Sequence, residues 1–105
     1  MYDVVIIGGG IVGLTVAYQI LLEYPLKKVL ILEKEKHLSI HQTGHNSGVI
    51  HSGIYYKPNS LKARNCRKGI ELLINFCQKY NIKYEMCGKI IVASKKNQID
   101  YLNEL

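Results

Sequence analysis

An α/β fold built on a parallel sheet is what the sequence predicts, and three observations near its start predict it. Two short apolar runs, Val4 to Ile7 and Val29 to Leu32, show no alternation of polar and apolar residues. That is the pattern of strands covered on both faces in a parallel sheet. Between them, Ile11 to Glu23 is long enough for a helical crossover, which in such a unit is right-handed. The turn from the first run into that helix carries Gly8-x-Gly10-x-x-Gly13.

Each glycine has its own task. The first permits the tight turn, the second lets main chain approach a pyrophosphate, and the third brings helix and strand close. The helix then offers phosphates its unpaired first N–H groups and the positive end of its dipole. Ala17 falls on the packing side of the helix, and Pro25 helps to end it. Glu33 lies twenty positions past Gly13, where an acid hydrogen-bonds a ribose diol. The expected fold is therefore a Rossmann-like dinucleotide-binding unit. Its candidate contacts to the ADP half are Gly8, Gly10, Ile11, Val12, Gly13, Glu33 and Lys34. A carboxylate at position 33 would repel a 2′-phosphate and so disfavours NADP, which leaves NAD and FAD.

Glu35 to Asn59 holds no helical period and is rich in Gly, Ser, Asn, Thr and His, a long loop with a single helical turn inside it. Loops of this length in compact domains are usually functional. Ser60 can cap a helix to about Tyr80, with Ala63, Cys66, Ile70, Leu73, Cys77 and Tyr80 on one inward face. Two of the cysteines lie on that seam and read as small buried hydrophobes. Ile82 to Ser94 suggests two short strands around Cys87-Gly88-Lys89, and Asn97 to Leu105 suggests a last helix.

Composition narrows the class. Hydrophobic residues at 48% and charged residues at 21% suit a folded α/β chain and are too apolar for disorder. The formal charge of +6 raises the question of nucleic acid. The basic residues from Lys57 to Lys68, however, flank an apolar helical seam without interleaved aromatics, so a solvated face is expected and no nucleic-acid partner. Three cysteines with no CxxC pair argue against a disulfide framework and against zinc. His41 and His45, four apart, lack a carboxylate or cysteine to complete a metal site, and none is expected. With no secretory signal pattern, a reducing cytoplasmic compartment is expected, with peripheral association at the inner membrane left open.

A second small-residue segment follows the acid: His41-Gln42-Thr43-Gly44-His45-Asn46-Ser47-Gly48-Val49-Ile50-His51. Together with Ser60-Leu61-Lys62-Ala63, Cys66, Gly69, Cys87-Gly88-Lys89 and Val92-Ala93, it resembles the D-amino-acid-oxidase-type FAD-dependent oxidoreductases over nearly the whole chain. The resemblance implies FAD as cofactor. It also implies a small 2-hydroxy acid as substrate, L-2-hydroxyglutarate oxidised to 2-oxoglutarate by hydride transfer to the flavin, and a quinone or oxygen as electron acceptor. Thr43, Ser47, Gly48 and Val49 become candidate contacts to pyrophosphate and flavin, and His51 the candidate catalytic residue, orienting substrate or stabilising a flavin anion.

Residues 1 to 105 are then expected to be the N-terminal part of an FAD-binding domain, inactive alone, with the substrate domain beyond Leu105. An amine oxidase or glycerol-3-phosphate dehydrogenase of the same group, or a truncated ADP-binding module, stays open as an alternative.

Overall fold

The computed structural model describes residues 1–105, which divide into two compact units, Met1–Gly48 and Val49–Leu105. The first unit is a β-α-β crossover: strand β1 (Val4–Ile7), helix α1 (Ile11–Glu23) and strand β2 (Val29–Leu32). The strands pair in parallel with Val4 opposite Val29 and Ile7 opposite Leu32. One further ladder bond, from the Gly8 N–H to the Leu32 carbonyl at 2.8 Å, carries the pairing into the glycine turn. At the other end, Asp3 ties the strand starts together. Its carboxylate accepts the Lys28 N–H at 2.8 Å and the Lys27 ammonium at 3.1 Å, while its own N–H donates to the Lys28 carbonyl. The expected Rossmann-like topology and all three boundaries are borne out.

Helix α1 covers one face of the pair and buries Ala17 against it. Val4 and Ile6 are partly covered, whereas Val5 is 52% and Ile7 88% exposed. The expectation of strands covered on both faces is thus met on one face only. The apolar run reports a residue's need for cover, and the first unit supplies one helix.

In the second unit, helix α2 (Leu61–Lys79) begins where Ser60 accepts the Ala63 N–H on its hydroxyl at 3.2 Å. Cys77 is buried and Ala63, Cys66 and Ile70 are half-buried, as their spacing predicts. Leu73 and Tyr80 are instead 44% and 46% exposed, and Ile74 takes the inward position. A strict alternation of threes and fours drifts about 20° per seven residues on a straight helix, and by the third turn the neighbouring residue faces inward.

The two strands expected in Ile82 to Ser94 do not form. Residues 83–93 are neither helix nor strand, with Ile90 90% and Val92 75% exposed. β-propensity describes fitness for a pleated surface and needs a pairing strand to be realised. The chain ends in a 3₁₀ turn, Lys96–Gln98, and a short helix α3 (Ile99–Glu104), begun where the Gln98 side-chain oxygen accepts the N–H groups of Ser94 and Lys95. No helix is long and apolar enough to cross a membrane.

Gly13 is where helix meets strand. A Cβ there would overlap the Gly8 carbonyl oxygen and stand 3.3 Å from Ile6 Cγ2. Gly13→Ala therefore has to push α1 off β1, at a cost of about 1–3 kcal/mol. The expected result is a lowered Tm in a thermal melt of the full-length gene product.

Candidate dinucleotide-binding site

The glycine turn lies at the carboxyl ends of β1 and β2, where open α/β sheets bind ligands. Gly8 takes φ +104°, a conformation that side chains rarely adopt, and this reverses the chain out of β1. Gly10 caps α1 in extended conformation with no side chain of its own to bond the helix. The cap comes from elsewhere in sequence: the Thr43 hydroxyl accepts the Ile11 N–H at 2.9 Å across 32 residues. Of the four first N–H groups of α1, those of Gly10, Val12 and Gly13 keep no main-chain partner. They point out of the helix end with its positive dipole, an arrangement suited to a diphosphate. A Cβ at Gly8 would meet nothing within 4 Å, and one at Gly10 only Thr43 Oγ1, so the outer face of the turn is open to a bulky anion.

Glu33 is directed at this turn. Its Oε2 accepts the Gly9 N–H at 2.7 Å and its Oε1 the Glu35 N–H at 3.0 Å. These main-chain donors, Gly9 first, hold the carboxyl below the usual glutamate range, with His41 adding a smaller attraction. An ionised carboxylate has about four acceptor sites. Acceptor capacity therefore remains for ribose hydroxyls, so the residues present fit an adenine dinucleotide.

The loop after β2 is built by its own side chains. Asn46 donates its amide to the carbonyls of Gln42 and Thr43, at 3.1 and 2.7 Å, and accepts the Gly48 N–H at 2.8 Å. The single helical turn expected here is replaced by hydrogen-bonded turns, Gly44 to His41 and His45 to Gln42. His41 Nε2 lies 3.1 Å from Glu35 Oε1, and His45 Nδ1 lies 3.1 Å from the His41 carbonyl. Lys34 is 76% exposed and faces Glu35 at 3.8 Å.

The first unit thus gathers Gly8 to Gly13, Glu33 and Thr43 into one place, with Ser47 and Gly48 exposed at its end. Val49 and His51 belong to the second unit, both exposed. There the Cys66 thiol on α2 donates to the His51 carbonyl at 3.2 Å, and Gly53, at φ +75°, passes so close that a Cβ would stand 2.9 Å from that sulfur. Cys66 is thus a hydrogen-bonding anchor for the His51 segment as well as part of the helix seam. Gly9, Leu38, Ser39 and Asn46 escaped the sequence reading. Only Asn46 had a readable signal, the Asn-x-Gly spacing of a side-chain turn onto the second residue beyond.

The fold and this site define a flavin- or nicotinamide-type dinucleotide-binding unit, and the comparison with known families decides between them. The model for the FAD dependent oxidoreductase family matches residues 3–105, and the chain belongs to that family. The chain is 56% identical to a mitochondrial L-2-hydroxyglutarate dehydrogenase of Homo sapiens over 99% of its own length and 22% of the relative's. It is 55% identical to one of Nematostella vectensis, over 99% of the chain and 23% of the relative. Against the L-2-hydroxyglutarate dehydrogenase of Indibacter alkaliphilus the identity is 54%, over 99% of the chain and 26% of the relative. The chain spans about a quarter of the length of the curated relatives it matches.

The names of the Homo sapiens and Nematostella relatives, among others, overturn the expected cytoplasmic location, since they point to the mitochondrion. Unpaired cysteines report a thiol-preserving environment and do not distinguish one such compartment from another.

Thr43→Val removes the only side-chain acceptor at the start of α1 and is expected to cost about 1 kcal/mol, while Thr43→Ser retains it. Thermal melts of the two variants check the ordering. Acid acts on the same unit. Asp3 is held low first by the Lys28 N–H and then by Lys27, and Glu33 by Gly9. With both folded values depressed, their stabilisation is complete above the ordinary carboxylate range and is lost as pH falls through about 4 and below. Melts from pH 7 to pH 3 should show that loss, and Asp3→Asn with Glu33→Gln should flatten it.

Proposed function

We propose that the gene product containing this chain is an FAD-dependent dehydrogenase or oxidase that converts L-2-hydroxyglutarate to 2-oxoglutarate. Residues 1–105 are read as the N-terminal part of its flavin-binding domain, which does not turn over substrate alone. The observation that carries the reading is the glycine turn. An open helix N-terminus and a carboxylate directed at it lie in a chain 54–56% identical, over almost its whole length, to dehydrogenases of that hydroxy acid.

In this reading the N–H groups of Gly10, Val12 and Gly13, on the first turn of α1 with Ile11, bind the pyrophosphate. Glu33 accepts the ribose hydroxyls on its remaining lone pairs and repels a 2′-phosphate, and Lys34 lies beside it. Thr43 holds the helix end and turns its O–H toward the anion, and Ser47, Gly48 and Val49 continue along the cofactor. His51 orients the substrate carboxylates or stabilises negative charge as it develops, as a positioned donor does. FAD, when bound, supplies the acceptor for the two electrons leaving C2 of the hydroxy acid. A quinone or oxygen then takes them up.

The full-length gene product is expected to purify yellow and, without oxygen, to bleach on addition of L-2-hydroxyglutarate but not of glycerol 3-phosphate or D-amino acids. Glu33→Ala should weaken FAD binding by about tenfold or more, the loss of one or two charge-assisted hydrogen bonds. A colourless protein, or bleaching by another of these substrates, overturns the assignment.

A further inference from the structure

The middle glycine of the turn, Gly9, lies outside the Gly8-x-Gly10-x-x-Gly13 spacing and yet is the most buried of the three consecutive glycines. Both polar groups of its residue are engaged. The N–H donates to Glu33 Oε2 at 2.7 Å. The carbonyl accepts the Ser39 N–H at 3.1 Å and is approached by the Ser39 hydroxyl at 3.4 Å. Its Cα is covered as well: a Cβ there would overlap Leu38 Cδ2 and stand 3.1 Å from Glu33 Oε2 and 3.3 Å from Glu33 Cβ.

Ser39 reaches Gly9 in a left-handed conformation, φ +64°, which costs a side-chain-bearing residue energy and persists only where contacts hold it. The chain between Glu33 and Ser39 thus wraps the glycine turn, one end on the Gly9 N–H and the other on its carbonyl. The neighbouring N–H groups of Gly10, Val12 and Gly13 are left outward. Their direction depends on the orientation of the Gly9 peptide, because that peptide is the link between the reversal at Gly8 and the helix start at Gly10.

We propose that Leu38 and Ser39 are positioning residues for the cofactor: touching no part of it, they clasp Gly9 against Glu33 and so preset the glycine turn for the pyrophosphate. The proposal rests on the reading that FAD binds at this turn. A turn aligned before the ligand arrives does not have to be ordered by it, and the saving appears as affinity.

The test uses the full-length gene product and its affinity for FAD, read by flavin fluorescence on titration of the apoprotein. Glycine and asparagine tolerate φ near +64°, whereas a β-branched residue does not. Ser39→Gly and Ser39→Asn are therefore expected to keep the FAD Kd within about twofold of wild type, and Ser39→Val to raise it about tenfold. At saturating FAD the KM of Ser39→Val for L-2-hydroxyglutarate should match wild type, which a general loss of structure would not permit.

Wild-type FAD affinity in Ser39→Val overturns the clasp, as does a glycine variant as weak as the valine one. Should Ser39→Val not fold, Gly9→Ala carries the same test, with Gly9→Ala/Leu38→Ala expected to recover part of the lost affinity. Wild-type affinity in Gly9→Ala, or no recovery in the double variant, again overturns it. A wild-type protein that takes up no flavin would instead sink the functional reading itself.

Discussion

The hydrogen bond from the Gly9 N–H to the Glu33 carboxylate joins the two ends of the crossover that matter for a ligand. Without it, the turn after β1 and the terminus of β2 are merely adjacent; with it, the acid and the open helix end are held at one distance. Every other feature of the first unit supports that contact. Asp3 and the four ladder pairs set the strands in register, Gly13 lets α1 lie against β1, and Thr43 caps the Ile11 N–H that the glycine turn has no side chain to reach. Glu33 is thereby structural, and its carboxylate keeps acceptor capacity beyond the main-chain bonds that it accepts.

The rest of the chain shows what a crossover unit lacks when read by itself. Ala17 and Cys77 are the buried hydrophobic residues, while Val5, Ile7, Ile90 and Val92 are exposed strand-type residues. Their sequence is that of covered strands. Val5 and Ile7 lie on the face of the strand pair that α1 does not cover.

The site joins two loops of different kinds. The glycine turn works through its main chain, where the absence of side chains leaves N–H groups open. The segment from Glu33 to Gly48 works through side chains: Glu33, Ser39, Thr43 and Asn46 each bond main chain elsewhere in the unit. The first unit therefore brings opposite charges together from more than twenty residues apart, an acid and the positive end of a helix dipole.

Strand, glycine turn, helix and acid were all legible in order along the chain, because each depends on neighbours within a few residues: apolar runs, glycine spacing, a capping serine before α2. The same holds for the family, which the small-residue segment after Glu33 already suggested. What the residues could not reveal was every feature that needs a partner distant in sequence. Thr43 was a candidate ligand contact, and only the folded chain makes it the cap of a helix 32 residues away. Gly9, Leu38 and Ser39 carry no motif at all, since packing around a glycine has no sequence period. The strands expected after Ile82 had the composition but found no ladder, and the seam of α2 shifted from Leu73 to Ile74 because a real helix does not repeat in sevens. Local chemistry was thus decided by order along the chain, and distant pairing by the fold, since hydrogen bonds across tens of residues exist only once the chain has closed on itself.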